Sequence, residues 1–362
     1  MKKKVLFVVG SELANAGVPN VIMQIVRQLH GDFTFDVVVA NSTAGYYDEE
    51  FKSYGGNIFV KPQVDYSYGK IKFIKRGKQV FDAVSDILKA SKYDIVHCHN
   101  GIESGPALKA AYKYGVPIRI SHAHGTYFNK GKNIVSRIYK YTCMKMGAKY
   151  STLRLSCADI AGQTLFLGKD FENILNPLNL DYYSSIQKKP HEGIRLVQIG
   201  YYNALKNQMF SLKVLEYLLS KGEKVVLDFV GYDTGVGYMG ALECQIKEKG
   251  LSDCVRMLPC DYDKKELFSE ADFLLLPSKS EGLPLVALES QSSCVFCIAS
   301  DRVPSDVDMG LFTRITISDP NAVSKWGEWI LQNKHYPNTL DLNKIKNIDV
   351  DVYMKKIRNF YN

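Results

Sequence analysis

The stretch Leu274-Leu-Leu-Pro-Ser-Lys-Ser-Glu-Gly-Leu-Pro-Leu-Val-Ala-Leu-Glu289 contains an apolar run, a short polar loop and a second apolar segment. The first run predicts a buried strand that ends at Pro277, and the second predicts a helix that starts near Leu283 and Pro284. Gly282 permits a tight backbone at the helix entrance, and proline is tolerated in a first helical turn. The unpaired N–H groups of that turn predict an anion site.

Two carboxylates, Glu281 and Glu289, belong to this stretch, with seven residues between them. If the geometry is regular, this spacing is about two helical turns. It puts Glu281 in the loop and Glu289 on the helix. Two interpretations are open: the carboxylates serve the anion site, or Glu281 caps the helix and Glu289 is a solvated helix residue.

Outward from this stretch, short β-branched runs alternate with helical stretches, which predicts parallel sheets with right-handed crossovers. The strand candidates are 5–9, 35–40, 57–60, 95–98, 118–121 and 150–155, then 195–199, 225–230, 254–258, 273–276 and 295–298. The polar segment 178–192 has no hydrophobic period and marks a seam. We therefore expect an α/β protein with two doubly wound domains, a ligand cleft at the carboxyl ends of the strands and a terminal helix. The expected bounds are 1–185, 186–340 and 341–362.

The net charge of +8 is unevenly distributed along the chain. Residues 1–185 hold 24 Lys and Arg against 15 Asp and Glu, whereas residues 186–362 hold 22 against 23. The excess of +9 in the first half suits an anionic partner, such as a phospholipid surface, a lipid diphosphate or nucleic acid, or is a plain solvated surface. The apolar run 5–9 is too short for a signal peptide, and no 18-residue apolar stretch exists, so we expect a cytoplasmic protein.

Around the two glutamates the chain resembles glycosyltransferase family 4, in particular its bacterial exopolysaccharide and capsule members. The Glu, seven residues, Glu spacing within Ser-x-x-Glu-Gly-Leu-Pro-Leu-Val-Ala-Leu-Glu looks like the family signature. Further similar segments are the glycine loop at 231–237, the strand at 271–278 and the stretch at 300–308. The resemblance extends over nearly the whole chain. It implies the GT-B fold, in which two Rossmann-like domains face each other across a cleft, with a C-terminal helix expected to return to the N-terminal domain.

The resemblance also implies roles for residues of the quoted stretch. In the family the first glutamate approaches the donor sugar and the second binds the nucleotide ribose, which assigns these roles to Glu281 and Glu289. The backbone of Gly282, Leu283 and Pro284 would lie beside the sugar and the phosphate. The C-terminal domain would bind the nucleotide sugar and the N-terminal domain the acceptor.

A second segment, Ile199-Gly-Tyr-Tyr-Asn-Ala-Leu-Lys-Asn-Gln208, resembles the family pattern of Gly-Arg followed by Lys. Gly200 matches, Gly231 is implied to border the donor, and Lys206 takes the role of neutralising the diphosphate leaving group. Tyr201 occupies the Arg position, and its hydroxyl donates one hydrogen bond but carries no charge. Either another cation compensates, or transition-state stabilisation is weaker, or the chain is catalytically impaired.

The loop after the first predicted strand, Asn15-Ala-Gly-Val-Pro-Asn20, resembles the family's Gly-Gly loop, with Ala16 in place of the first glycine. The resemblance implies that the backbone at Gly17 approaches the donor phosphates or the acceptor. The alternative is a simple turn from strand to helix.

Four histidines form two pairs, His97-Cys-His99 and His122-Ala-His124, and each pair ends a predicted strand. The family often has a histidine there, close to the donor sugar, which makes His124 the first candidate and His122 the second. The alternatives are hydrogen-bonded structural histidines or a zinc site, since imidazole and thiolate suit zinc.

Three Asp-x-Asp matches, at 261–263, 306–308 and 349–351, show how often this metal motif arises by chance. Asp263 with Glu266 suits a helix capping box better. We therefore predict no catalytic metal and no cofactor.

Two basic segments, 70–78 and 130–149, have apolar residues interleaved with their cations. Both are typical of amphipathic helices, and both could also lie on anionic lipid. Nucleic acid is not expected, because the sequence carries no nucleic-acid-binding signature.

Together these features predict a retaining glycosyltransferase that moves a sugar from a nucleotide sugar, with UDP as the expected nucleotide, to a glycan or lipid-diphosphate-linked acceptor in polysaccharide biosynthesis. It would act in the cytoplasm, with peripheral contact at the inner face of the membrane. The alternatives are a catalytically impaired nucleotide-sugar-binding subunit, which Tyr201 motivates, and an epimerase or phosphorylase on the same fold.

Overall fold

The computed structural model describes residues 2–40, 43–60, 72–125, 134–233, 235, 237–336 and 340–362, with the side chains at 72–74 and 342–343 left out of the description. The chain divides into two compact units. Unit 1 consists of Met1–Pro177 together with Val350–Asn362, and unit 2 is Leu178–Asp349.

Unit 1 contains a seven-stranded parallel sheet in the order β3-β2-β1-β4-β5-β6-β7. The strands are β1 (Lys3–Val8), β2 (Phe33–Val39), β3 (Ile58–Val60), β4 (Ile95–Cys98), β5 (Ile118–Ala123), β6 (Leu153–Ser156) and β7 (Glu172–Asn173). The central strands are apolar on both faces, because helices cover the sheet from both sides. The strand order reverses between β1 and β4, which is where doubly wound sheets bind ligands.

The helices of unit 1 are α1 (Gly17–Leu29), α2 (Asp48–Ser53), α3 (Lys72–Ala90), α4 (Ser104–Lys113), α5 (Ile134–Tyr150), α6 (Asp159–Phe166) and the returning helix at Val350–Tyr361. That helix packs on α1 and fills the core with Tyr353, Ile357 and Tyr361, which are almost fully buried. Helices α3, α4 and α5 pack against one another. The expected return of the C-terminal helix to the N-terminal domain is therefore confirmed.

Unit 2 contains a six-stranded parallel sheet in the order β10-β9-β8-β11-β12-β13. The strands are β8 (Ile194–Ile199), β9 (Val225–Val230), β10 (Val255–Leu258), β11 (Phe273–Leu276), β12 (Phe296–Ser300) and β13 (Phe312–Ile315). The order reverses between β8 and β11, so the loops that follow these two strands lie next to each other at the switch point.

The helices of unit 2 are α7 (Leu180–Ser184), α8 (Gln208–Ser220), α9 (Tyr238–Glu248), α10 (Lys264–Glu270), α11 (Leu285–Ser292), α12 (Ala322–Gln332) and α13 (Leu342–Lys346), which makes the returning helix of unit 1 α14. The core of this unit is centred on Trp326, Phe229 and Phe273. Within the described part of the chain, no helix is long and apolar enough to cross a membrane.

Two doubly wound α/β sheets were expected, and the structure confirms them. The division between the units falls at 177/178, whereas the sequence put the seam at 185/186. The reason is that Asn179 caps α7, which packs against α11, and Leu178 pairs with Asp349. Likewise, α13 belongs to unit 2, and the returning segment starts at Val350 rather than at 341.

Candidate active site

Lys206 and Glu281 form an ion pair at the switch point of the unit 2 sheet. The Lys206 Nζ lies 2.6 Å from Glu281 Oε1, and both side chains are largely buried. Lys206 comes from the loop after β8, and Glu281 comes from the loop after β11. The resemblance assigned both residues to the donor, and the structure brings their charged groups into direct contact.

The loop that carries Lys206 is held by side-chain and backbone hydrogen bonds. Asn203 Oδ1 accepts from the backbone N–H groups of Leu205 and Lys206, at 3.0 and 2.9 Å. Gln198 donates its side-chain amide to the Lys206 carbonyl at 2.7 Å. The backbone N–H of Lys279 donates to the Leu205 carbonyl at 2.8 Å and ties this loop to the one that carries Glu281. These hydrogen bonds therefore fix the backbone from which the Lys206 side chain extends.

Two of the predicted glycines are explained by close packing within the chain. A Cβ at Gly231 would collide with the carbonyl oxygen of Gly200. Gly200 itself has a φ of +151°, a conformation that favours glycine, and a Cβ there would press on the Lys206 side chain. These glycines thus let two strand ends and the lysine stem approach one another, and contact with a donor stays a prediction.

Tyr201 stands where the family pattern has an arginine. Its ring meets the ring of Tyr232 edge-on, with centroids 4.7 Å apart, and its carbonyl accepts from the side-chain amide of Gln208 at 2.9 Å. The aromatic pair consists of two phenols, and neither brings the positive charge of the family's arginine.

Glu289 is paired with a lysine that the sequence reasoning missed. Both of its carboxylate oxygens accept from Lys264 Nζ, at 2.7 and 2.8 Å, and the Glu289 side chain is only 8% exposed. Glu289 is therefore not a solvated helix residue. The available signal was the position of Lys264 directly after Asp263, whose carboxylate caps α10 and so fixes the start of that helix.

The quoted loop leads into α11 as the sequence indicated, with small differences in register. Pro284 is the N-cap residue and Leu285 is the first helical residue, and no side chain caps this end. The alternative that Glu281 caps the helix is therefore wrong. Gly282, Leu283 and Pro284 are buried. Their predicted contact with sugar and phosphate stays a prediction.

Gln291, which the sequence reasoning did not single out, fastens α11 to the segment after β12. Its side-chain amide donates to the Ala287 and Val307 carbonyls at 2.8 and 2.7 Å. Its side-chain oxygen accepts from the backbone N–H groups of Met309 and Leu311, at 2.8 and 3.3 Å. The helix that carries Glu289 is thus held at its buried side.

In unit 1, Gly17 is the first residue of α1, directly after the β1 loop. The N-cap residue Ala16 makes no side-chain cap, and a Cβ added at Gly17 would meet nothing within 4 Å. Packing within the described chain therefore does not require glycine here. This open position is compatible with the predicted approach of a ligand to the helix start.

The four histidines meet at the carboxyl ends of β4 and β5 and form a cluster of stacked rings. His97 Nδ1 shares a hydrogen bond of 2.8 Å with the Tyr361 hydroxyl, and His97 Nε2 shares one of 3.3 Å with His122 Nδ1. His99 Nδ1 and His124 Nε2 are 2.8 Å apart. The predicted adjacency of the two pairs is confirmed. Tyr361 on α14 is a further member that the sequence reasoning missed.

Burial keeps the histidine cluster uncharged. Burial, and then the neighbouring imidazoles, lower the pKa of His97, His99 and His122 well below the ordinary value. Burial lowers the pKa of His124 to about 4. At neutral pH these side chains are therefore hydrogen-bonding groups without charge.

A metal could be held only at this cluster among the residues that the structure describes. The candidate ligand nitrogens of His97, His99 and His122 lie within 4.8 Å of one another. Bonds of about 2.0–2.1 Å to a tetrahedral zinc would require nitrogens roughly 3.3 Å apart. His97 Nε2 and His122 Nδ1 already lie 3.3 Å apart, so zinc would replace the hydrogen bond between them, and His99 would have to offer a nitrogen at the same spacing. Zinc thus stays an alternative, and metal independence stays a prediction.

Comparison with known proteins agrees with the two-sheet architecture. The family model described as Glycosyltransferase Family 4 matches residues 16–154, and the one described as Glycosyl transferases group 1 matches residues 182–309. EpsF of Bacillus subtilis (strain 168), which carries the name of a glycosyltransferase, is 27% identical over 347 residues, or 91% of this chain and 87% of EpsF.

A second relative is the UDP-Gal:alpha-D-GlcNAc-diphosphoundecaprenol alpha-1,3-galactosyltransferase of Escherichia coli, 26% identical over 234 residues and 59% of each chain. Among solved structures, HepE of Anabaena in complex with UDP has a TM-score of 0.77 at 14% identity, covering 99% of this chain and 98% of that one. The lipopolysaccharide outer core galactosyltransferase WaaB has a TM-score of 0.70 at 18% identity, with the same coverage.

The fold and the matching family models thus define a GT-B glycosyltransferase. The chain belongs to glycosyltransferase family 4.

Proposed function

We propose that the protein transfers a sugar from a UDP-sugar to a glycan or lipid-diphosphate-linked acceptor in polysaccharide biosynthesis, with retention of the anomeric configuration. The observation that carries this proposal is the Lys206–Glu281 pair at the switch point of the unit 2 sheet. The UDP bound to HepE supports the choice of nucleotide. The name of the E. coli relative, with UDP-Gal as donor and a diphosphoundecaprenol-linked acceptor, supports the acceptor class.

In this proposal Lys206 exchanges Glu281 for the diphosphate of the donor. When the bond between the anomeric carbon and the phosphate oxygen breaks, negative charge develops on that oxygen. The ammonium stabilises this charge with a charge-assisted hydrogen bond. Glu281, released from Lys206, accepts a hydrogen bond from a hydroxyl of the donor sugar. Glu289, whose two oxygens accept from Lys264, accepts hydrogen bonds from the ribose hydroxyls through its remaining lone pairs.

Retention follows if the acceptor hydroxyl attacks from the face that the phosphate leaves. The departing phosphate oxygen then accepts the acceptor's proton, and no protein nucleophile is required. His124 and His122 would contribute neutral hydrogen bonds near the donor sugar, because burial keeps both imidazoles uncharged. Unit 1 would bind the acceptor, and neither a metal nor a cofactor would take part.

The expected setting of this reaction is the cytoplasm, with peripheral contact at the inner face of the membrane. An anionic membrane surface is the partner that the +9 charge of residues 1–185 suits, and nucleic acid is not an expected partner.

A panel of nucleotide sugars tests the donor and the stereochemistry. We expect UDP-sugars to raise the melting temperature more than GDP- or ADP-sugars, because a bound ligand stabilises the folded state. NMR of the product should give the same anomeric configuration as the donor. Stabilisation by another nucleotide sugar alone would refute the proposed UDP donor. A product with the inverted anomeric configuration would refute the proposed retention.

Tyr201 favours a second candidate function, a subunit that binds nucleotide sugars but transfers slowly or not at all. Under this alternative a donor binds without turnover, and Tyr201→Arg starts or accelerates transfer by restoring the family cation. Tyr232→Arg is the matched control, because it adds the same charge to the other ring of the aromatic pair. An epimerase or phosphorylase is less favoured, because the chain belongs to a family of glycosyltransferases.

A further inference from the structure

Helix α5 of unit 1 exposes a stripe of large apolar side chains. Ile134, Ile138 and Tyr141 are 66%, 60% and 49% exposed. Their spacing of four and then three residues puts them on one side of the helix. Exposure of a single large apolar residue is ordinary, but three aligned on one helix form a surface that calls for an apolar partner.

The same side of α5 carries cations and no acid. Arg137, Lys145 and Lys149 are exposed, and the sequence of α5 contains neither Asp nor Glu. The Lys145 ammonium lies 4.8 Å from the centre of the Tyr141 ring, so charge and apolar surface meet in one contact. We define the α5 face as Ile134, Arg137, Ile138, Tyr141, Lys145 and Lys149.

The opposite side of α5 is anchored in the unit. Cys143, Met144 and Ala148 are buried, and the helix packs tightly on α4. A Cβ at Gly105 of α4 would collide with the Cys143 carbonyl oxygen, so the two backbones nearly touch. The α5 face is therefore a firmly held surface and does not rotate into the core.

Helix α3 begins within the first basic segment, 70–78, and packs beside α5. A Cβ at Gly77 would press on the Tyr139 hydroxyl of α5, and Arg76 pairs with Glu103. Lys78 is exposed and paired with Asp82. Residues 70 and 71, the side chains at 72–74 and the start of the second basic segment at 130–133 lie outside what the structure describes.

We infer that the α5 face docks on an anionic phospholipid surface, which deepens the proposed function by placing a lipid-linked acceptor near unit 1. Ile134, Ile138 and Tyr141 would enter the boundary between headgroups and acyl chains, as in interfacial amphipathic helices. Each cation near such a surface strengthens binding about fivefold. Docking is therefore reversible and weakens with salt, because exposed charges are screened.

Anionic lipid accounts for both features of the face. Nucleic acid would use the cations but leave the isoleucines in water, and an acidic protein would have to offer an apolar patch at the same place. A membrane offers both at once, with phosphate headgroups around an apolar interior.

Co-sedimentation of the full chain with vesicles tests the inference. The vesicles are phosphatidylcholine alone or phosphatidylcholine mixed with phosphatidylglycerol, at low and high salt. The chain should bind the mixed vesicles at low salt and be released at high salt. Lys145→Glu, which changes two charges, should weaken binding roughly 25-fold, and Ile138→Glu should also weaken it strongly.

Two controls match these changes in chemistry and exposure. Lys221→Glu removes a lysine that lies over a tyrosine ring in the same way, 5.1 Å from the Tyr217 ring centre in unit 2. Ile160→Glu changes an exposed isoleucine of α6, 49% exposed. Both should bind like the unchanged chain, with melting temperatures confirming that all four variants are folded.

The inference is overturned if the chain binds neutral and mixed vesicles equally, binds neither, or loses binding equally in the controls. Binding to single-stranded DNA or to an acidic peptide that competes fully with mixed vesicles would also overturn it. Transfer to a soluble acceptor analogue, measured on the same variants, separates this test from the proposed function. Loss of vesicle binding by the α5 variants with this transfer intact is the expected result and supports docking, whereas absent transfer by the unchanged chain would count against the proposed function alone.

Discussion

The side chain of Lys206 reaches Glu281 across the gap between two neighbouring strand ends, and the missing Cβ of Gly200 leaves room for the lysine stem. The charges are largely buried, so removing either partner leaves the other without compensation until a donor binds. Both residues therefore have a structural as well as a proposed chemical role, and experiments have to separate the two.

Glu281→Gln should abolish transfer while the fold survives. The amide keeps the size of the side chain and can still contact Lys206 through its oxygen, but it loses the negative charge and the strong acceptor for a sugar hydroxyl. The matched control is Glu216→Gln, since Glu216 forms a 2.6 Å pair with Lys249 elsewhere in unit 2. Transfer rates and melting temperatures are the measurements, and near-normal turnover by a folded Glu281→Gln variant would contradict the assignment.

Lys206→Ala should slow transfer by on the order of 10²-fold or more, because the leaving diphosphate loses its stabilising cation. Lys249→Ala is the control for loss of a lysine from an ion pair of the same length. Steady-state kinetics should show a loss in kcat/KM for Lys206→Ala alone. Unchanged turnover and donor affinity would rule out the proposed role.

The sequence indicated which residues of the site carry charge but not all of their partners. Glu281, Glu289 and Lys206 follow from local pattern and resemblance. Asp263 marks Lys264 as the start of α10, but local pattern does not give its contact with Glu289, which arises only when the start of α10 lies beside α11. Gln291 was missed for the same reason, since three of its four partners lie sixteen to twenty residues away in sequence.

At the scale of elements, the ends of β4 and β5 bring four imidazoles together, and the C-terminal helix adds a phenol. The alternation of side chains along each strand places residues two apart on the same face. This is why the two His-x-His pairs predicted the cluster correctly. Tyr361 could not be predicted, because the sequence does not state which face of the sheet its helix covers.

The histidine cluster should make stability fall as the solution becomes acidic. In the unfolded chain a histidine titrates near pH 6.5, whereas in the folded chain these imidazoles stay neutral at lower pH. Below about pH 6.5 the unfolded state therefore binds protons that the folded state does not. Each such histidine lowers the free energy of unfolding by about 1.4 kcal/mol per pH unit, down to its folded pKa.

Denaturant unfolding between pH 7 and pH 5 measures this slope. His97→Gln keeps hydrogen-bonding capacity without a titrating group. It should therefore reduce the slope of unfolding free energy against pH by the equivalent of one bound proton, about 1.4 kcal/mol per pH unit. His30→Gln, a substitution of the same kind at an exposed position outside the cluster, is the control. Equal slopes for all three proteins would show that the buried cluster does not govern the response to acid.

Two edge strands, β7 and β13, were the strands that sequence patterns missed, whereas the other two edge strands, β3 and β10, were predicted at 57–60 and 254–258. β7 is two residues long and exposed, and β13 has no fully buried position, so neither has the apolar run that marks a central strand. The central strands, by contrast, are buried on both faces and were found close to their observed bounds.

For the molecule as a whole, transfer should not depend on a divalent metal. Of the Asp-x-Asp matches, Asp263 caps a helix, and Asp308 accepts a hydrogen bond from the Gly310 N–H. Incubation with a chelator should leave the transfer rate unchanged. Loss of activity that Mn²⁺ restores would contradict this prediction, and about one zinc per chain in the purified protein would instead favour the zinc alternative at the histidine cluster.

The return of α14 to unit 1 has a consequence for synthesis of the protein. The ribosome synthesises unit 2 between the two parts of unit 1. The sheet of unit 1 therefore lacks its helix α14 while residues 178–349 are translated. At about 5–20 residues per second this takes roughly 10–30 s. During that time the apolar surface that later receives Tyr353, Ile357 and Tyr361 is open, while unit 2, made as one uninterrupted stretch, can already fold. Unit 1, which is translated first, is thus completed after unit 2. We expect a chaperone to bind the exposed apolar surface of unit 1 during that interval.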